Sequence, residues 1–319
     1  MGLVRRFGSR DALLAAAGLL VLLAAPVVVY PVFLIKLLCF CLFACAFNLL
    51  SRSTGLLSFG HAAYFGAAAY AAGHAAKVWG FPFEAAIAFG TASGAVLGLV
   101  FGFLSVRRQG IYFAMITLAL AQMIYFLALQ LPFTHAEDGL TAIPRGRLLG
   151  FLDLNDDIAM YYTTAAIFLG GYLLIHRIVN SPFGRILRSI RENQQRAVSL
   201  GFRVDRYKIV AFTLSATLAG LAGSTKAVAT HLATLTDVHW ATSGDVLLMA
   251  LLGGSETLFG PVVGAILVVT MSDYLAASGL PIPVVIGATF ILCILLFRHG
   301  IVGEIQRLAR WWMGRRGAA

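Results

Sequence analysis

The seven histidines (His61, His74, His135, His176, His231, His239 and His299) are the side chains best able to hold a metal ion. None stands in a His-Glu-x-x-His or comparable spacing, so no metal site is expected. Ser58 and Ser243 offer hydroxyl nucleophiles, but no Gly-x-Ser-x-Gly turn and no paired base accompanies them. Proteolysis by an aspartyl pair needs two carboxylates at one depth, and only Asp245 and Asp273 are weak candidates. Cys39, Cys41, Cys45 and Cys293 lie in apolar runs without zinc-finger or thioredoxin spacing, and read as buried apolar thiols. The fragment nearest to a phosphate-binding loop, Gly223-Ser224-Thr225-Lys226, lacks the required spacing. The chain is expected to be no enzyme and to carry no metal or cofactor of its own.

The elements that carry these residues follow from composition. Of 319 residues, 60% are hydrophobic and 12% charged. A soluble domain has about 25% charged residues, so this chain cannot clothe a water-facing surface and its main solvent is lipid. The fold class expected is an all-α polytopic membrane protein of about ten transmembrane segments. The apolar runs are 11–30, 32–50, 55–76, 83–106, 110–131, 158–179, 207–229, 243–257, 259–277 and 282–297. The first is read as retained, because no small-residue cleavage site follows it.

Charge sets the orientation. With residues 1–10 in the cytoplasm, 19 of the 24 Lys and Arg fall on that side. The far side holds Lys77, Arg145, Arg147 and Lys226, with an acidic loop at 132–157. This split supports ten spans with both ends inside. The net charge of +10 is scattered in short clusters between apolar runs, so no nucleic-acid partner is expected.

Two runs mix glycine with polar groups at membrane depth: GLLSFGHAAYFGAAAYAAG from Gly55 and SGDVLLMALLGGSETLFG from Ser243. Such stretches predict discontinuous or re-entrant helices lining a cavity, and their rough correspondence suggests an internal repeat. Within the first, His61 is either a functional group or a packing histidine with a local hydrogen bond. Gly90, Gly94, Gly98 and Gly102 recur every fourth residue, and Ser215, Ala219 and Gly223 make a similar smooth face.

Between spans six and seven, Ser181 and Pro182 open a helix with Phe183, Ile186, Leu187 and Ile190 on one face and Arg185, Arg188 and Arg191 on the other. A second short helix is expected from Asn193 to Leu200, stopped by Gly201. The segment 180–206 thus reads as a knob that a soluble partner could grip, against the alternative of a basic loop resting on anionic headgroups. Residues 298–319 read as a basic amphipathic tail anchored at the inner lipid interface. Glu137-Asp138-Gly139 is a strong turn signal and equally a docking site, and Arg145 and Arg147 on the same loop read as salt-bridge partners for a docking protein or as part of a solvated loop.

GLLSFGHAAYFGAAAYAAG, GIYFAMITLALAQMIYF, EDGL, SPFGRILRSIRENQQRAVSLGFRVDRYKIVAF and DVLLMALLGGSETLFGPVVGA together resemble ABC importer permeases. The match is to the M-type subunit of high-affinity branched-chain amino acid (leucine, isoleucine, valine) importers, over residues 35–305. The resemblance implies a bacterial inner-membrane subunit within which 11–297 form the permease domain. It implies an H-type permease partner, two cytoplasmic ATPase subunits that bind the ATP, and a periplasmic binding protein. Contact with the ATPases is implied for Phe183, Gly184, Arg185, Arg188, Arg191, Glu192, Ala197 and Gly201. Only Ala197 and Gly201 match the Glu-Ala-Ala-x-x-x-Gly signature of importer permeases. The translocation path is expected along Ser58, Gly60, His61, Gly66, Gly253 and Gly254, and binding-protein docking at Glu137, Asp138, Gly139 and Arg145. Relatives carrying other amino acids, urea or short amides leave the substrate open, and a secondary transporter or channel is the rival of a different class.

Overall fold

The computed structural model describes residues 18, 20, 22–148, 150, 152–278, 282–296, 300–304 and 307. Segment 1–10 and nearly all of the 298–319 tail lie outside them. In chain order the helices are α1 (Pro31–Thr54), α2 (His61–Lys77), α3 (Phe83–Ser105), α4 (Ile111–Gln130), α5 (Asp157–Asn180), α6 (Pro182–Glu192), α7 (Gln194–Ser199), α8 (Val204–Ala229), α9 (Trp240–Gly253), α10 (Gly260–Ser278) and α11 (Ile282–Leu296). A helical stretch at 22–28 precedes them. Among the described residues, α1, α3, α4, α5 and α8 are long and apolar enough to cross a membrane; α9 and 260–276 are shorter apolar helices.

Helix α1 is the centre of the bundle. Pro31 opens it, where a missing N–H is harmless. Its Leu42, Phe43, Phe47 and Leu50 are fully buried, and α5, α6, α8, α9 and α10 all pack around it. The glycine ladder of α3 lies on α8. A side chain at Gly94 would meet the Gly220 backbone, and one at Gly98 would strike Ala216. Ser215 and Gly223 belong to another face of α8: Ser215 reaches Ala46 of α1, and Gly223 abuts the Phe65 carbonyl of α2.

The bundle has two chemically distinct ends. Arg52, Gln109, the α6–α7 loop and Glu256 meet at one, the basic end. At the far end the 131–156 loop carries two short antiparallel ladders that the all-helical reading lacked. Leu140–Thr141 (β1) pairs with Leu232–Ala233 (β4), and Arg147–Leu148 (β2) with Leu152–Asp153 (β3). The interruptions are sharper than the sequence suggests. Gly66 and Gly73 do not break α2, which runs unbroken from His61; the non-helical backbone is 55–60. The second break, 254–259, separates α9 from α10.

Candidate functional site

The knob at the basic end is built from local signals. Ser181 Oγ accepts the Gly184 N–H at 3.2 Å and caps α6. Leu187 and Ile190 are buried beneath the helix, while Arg185, Arg188 and Glu192 face outward. Phe183 stacks on Tyr207 with ring centroids 5.8 Å apart, and Gly184 lies against the Val179 carbonyl, closing the α5–α6 turn. Asn193 caps α7 by accepting the Arg196 N–H at 3.0 Å. Ala197 is buried with Ile190 and Val204 in a small core of its own. Gly201 then stops the helix at φ +85°, a left-handed backbone that glycine adopts without strain, and the space where a side chain would go is open. Beside it Gln194, Val198, Arg203, Val204, Asp205 and Arg206 line a polar groove.

Two further contacts fix the knob to the bundle. Gln194 Oε1 accepts from Gln109 Nε2 at 2.6 Å and from Lys208 Nζ at 2.8 Å. Arg191 donates through Nη1 to the Arg52 carbonyl at 2.8 Å and through Nη2 to Glu256 Oε1 at 2.9 Å. Its stem also covers Gly55. One guanidinium therefore joins α6 to both breaks, since Arg52 leads into 55–60 and Glu256 lies within 254–259. The hydrogen bond from Arg191 holds the Glu256 carboxyl below its ordinary value, against a smaller opposing effect of burial.

Hydroxyls satisfy the broken backbone, as non-helical chain in a membrane requires. Thr54 Oγ1 accepts Leu56 N–H, Thr117 Oγ1 accepts Phe59 N–H, Ser58 Oγ accepts Gly60 N–H and Ser243 Oγ accepts Ala62 N–H, at 2.9–3.3 Å. In the second break Thr257 Oγ1 accepts Gly260 N–H at 2.9 Å, and Asn48 of α1 donates to the Thr257 carbonyl at 3.1 Å. Ser215 gives its single hydroxyl proton to the Ala46 carbonyl at 2.6 Å, so His61 Nε2, 2.9 Å away, is the donor to Ser215. Ala46 sits eight residues inside the end of α1, so the His61 side chain reaches, through Ser215, a level about 12 Å inside that end.

The residues read as a translocation path are thereby placed. Ser58, Gly60, His61, Gly66, Gly253 and Gly254 are all buried against their own chain. Gly66 seats Val238, and Gly253 touches Gly260 and Gly264. The docking residues divide. Glu137 and Asp138 are exposed at the far end, while Gly139 is buried where β1 meets β4. Arg145 corrects the expectation of a free docking cation. It is 3% exposed, donating to the Ala229 carbonyl at 2.7 and 3.0 Å and to Asp157 at 2.7 Å. It closes the C-terminus of α8, whose unpaired carbonyls attract a cation.

Sequence reasoning also missed a buried pair. Lys226 Nζ lies 2.6 Å from both oxygens of Asp237. Asp237 further accepts from Thr234 N and Oγ1, a capping box around one 3-10 turn. The Thr234-x-x-Asp237 spacing was the available signal.

Residues 31–297 match the family described as branched-chain amino acid transport system, permease component. The chain belongs to this family. Among curated relatives, the high-affinity branched-chain amino acid transport system permease protein LivM of Escherichia coli (strain K12) is 26% identical over 249 residues, as is that of Salmonella typhimurium (strain LT2). Each match covers 71% of this chain and 59% of the relative, so the chain spans less than two thirds of their length. A probable branched-chain amino acid transport permease protein LivM of Methanocaldococcus jannaschii is 31% identical over 98 residues, covering 30% of this chain and 28% of its own. No solved structure matches. As a permease component with several apolar helices, the chain is a multi-pass membrane transport protein.

Proposed function

We propose that this permease component forms half of the pathway of an ATP-driven importer for leucine, isoleucine and valine in the bacterial inner membrane. It crosses ten times, with the basic end in the cytoplasm. A homologous H-type permease completes the pathway, a periplasmic binding protein docks on the face of Glu137 and Asp138, and two ATPases seat on α6 and α7. Phe183, Gly184, Arg185, Arg188, Glu192, Ala197 and Gly201 form or frame that seat. The observation that carries this reading is the double contact of Arg191: a loop shaped to be gripped is tied by one side chain to both points where the helices are broken. Movement of the knob would then reach 55–60 and 254–259 together, shifting α2 and α10 beside the substrate. Ser58, Gly60, His61, Gly66, Gly253 and Gly254 act in this scheme as the joints of the moving wall. The test is uptake of labelled leucine into proteoliposomes holding the full complex with its binding protein. ATP-dependent accumulation is expected, and leucine uptake that proceeds without ATP overturns the assignment.

A further inference from the structure

Among the acidic groups in or beside the membrane helices, Asp205 is exposed at the basic end of α8 and most of the others are engaged. Asp237 holds Lys226, Asp273 holds Lys36 at 2.6 Å, Glu256 holds Arg191, and Glu84 has an interaction as well. Asp245 differs. It lies in the second turn of α9, half-buried, with no hydrogen bond or ion pair to any described residue. Gln122, midway along α4, is likewise half-buried and makes no hydrogen bond to any described residue.

These two groups lie on neighbouring helices. The rings of Tyr125 on α4 and His239 at the start of α9 are 5.2 Å apart. The end of α4 and the start of α9 both lie at the far end of the bundle, so the helices run antiparallel. With a rise of about 1.5 Å per residue, Gln122 is about 4–5 Å below Tyr125 and Asp245 about 9 Å below His239, within roughly one helical turn of each other in depth. Beside Asp245, the position over Gly244 is open space. Apolar surface surrounds them: Met123 and Phe126 on α4 and Trp240 on α9 are 48%, 58% and 43% exposed. Helix α4 is also the least buried of the long spans.

Lipid tails cannot hydrogen-bond an amide, and a carboxylate facing them is strongly disfavoured. An unpaired carboxylate on α9 and an unpaired amide on α4, within about one turn in depth, are each a cost that a polar or cationic partner would remove. We propose that Asp245 and Gln122 form a seat for the ammonium group of the transported amino acid, with the exposed apolar residues of α4 beside its side chain. This rests on the import reading and places the passage on the α4–α9 face.

The test uses the complete complex in proteoliposomes, with leucine as probe. Asp245→Asn is expected to lower uptake at least 10-fold, Gln122→Leu several-fold, and Asp245→Glu to restore part of the Asp245→Asn loss. In an Asp245→Cys variant, a cationic methanethiosulfonate should label the thiol. Excess leucine should slow that labelling and N-acetyl-leucine, which has no ammonium group, should not. Wild-type uptake by Asp245→Asn, or labelling that leucine leaves unchanged, overturns the seat alone. Loss of the partner permease on purification of Asp245→Asn also overturns it, by making the carboxylate a subunit contact. Failure of the wild-type complex to accumulate leucine with ATP overturns the import reading and the seat together.

Discussion

The Lys226–Asp237 pair shows how a charge far from the knob shapes the bundle. Both side chains are nearly withdrawn from water, at 11% and 6% exposure. Removing one member strands the other in a low-dielectric site, which typically costs about 3–5 kcal/mol. Lys226→Met should therefore sharply lower the thermal unfolding temperature in detergent, and Lys226→Met with Asp237→Leu should recover much of the loss. A double variant as unstable as the single would show that the Thr234 cap, not the ion pair, is the dominant contribution. From the sequence, Lys226 and Arg145 are countable charges on the far side but not buried ones. Charge counting registers which side of the membrane a residue occupies. It cannot register that the chain folds back over it, as 230–239 does over Lys226 and 143–157 does over Arg145. The Thr234-x-x-Asp237 spacing spans only four residues, yet it does not announce that Asp237 is buried against Lys226.

Among the elements, α6 and α7 were the most legible part of the molecule. Cap, apolar spacing and glycine stop all act within about one or two turns, so no distant contact overrides them. What lay beyond reach was the role of Arg191, which depends on two segments more than sixty residues away in either direction. Arg191→Ala should leave the helix formed, yet lower leucine uptake relative to ATP turnover by about an order of magnitude; an unchanged ratio would remove Arg191 from the coupling path. The Glu256 carboxyl is held low by that guanidinium, so the pair's stabilisation is present above the ordinary carboxylate range and is lost as pH falls through the depressed value. Because the pair is largely exposed, its contribution is under about 1 kcal/mol. Wild type should unfold slightly above Glu256→Gln near pH 7, and the gap should close on strong acidification. A gap that grows with acid would reverse the assigned sign. The breaks themselves were visible as glycine mixed with hydroxyls, but the residues nominated there as a cavity wall are buried. Glycine permits an opening and a close contact equally, and sequence does not distinguish them.

On the scale of the molecule, the described basic segments around Arg52, 107–109 and 177–208 gather at one end of the bundle. With that end in the cytoplasm, Val198→Cys should react with a membrane-impermeant thiol reagent only after the cells are opened, and Glu137→Cys in intact spheroplasts. The reverse pattern would invert the whole arrangement. Cys39, Cys41 and Cys45 are buried and should add little background. The contact between α3 and α8 carries a mechanical consequence. Gly94 meets Gly220 backbone to backbone, and no side chain stands between them to change rotamer and admit sliding. Gly98→Leu should therefore wedge the pair apart, destabilising by about 1–3 kcal/mol. Seated this closely, the two helices would move as one plank in the proposed transport cycle, which would pivot about them and leave their seam closed, just as a door leaf turns without bending.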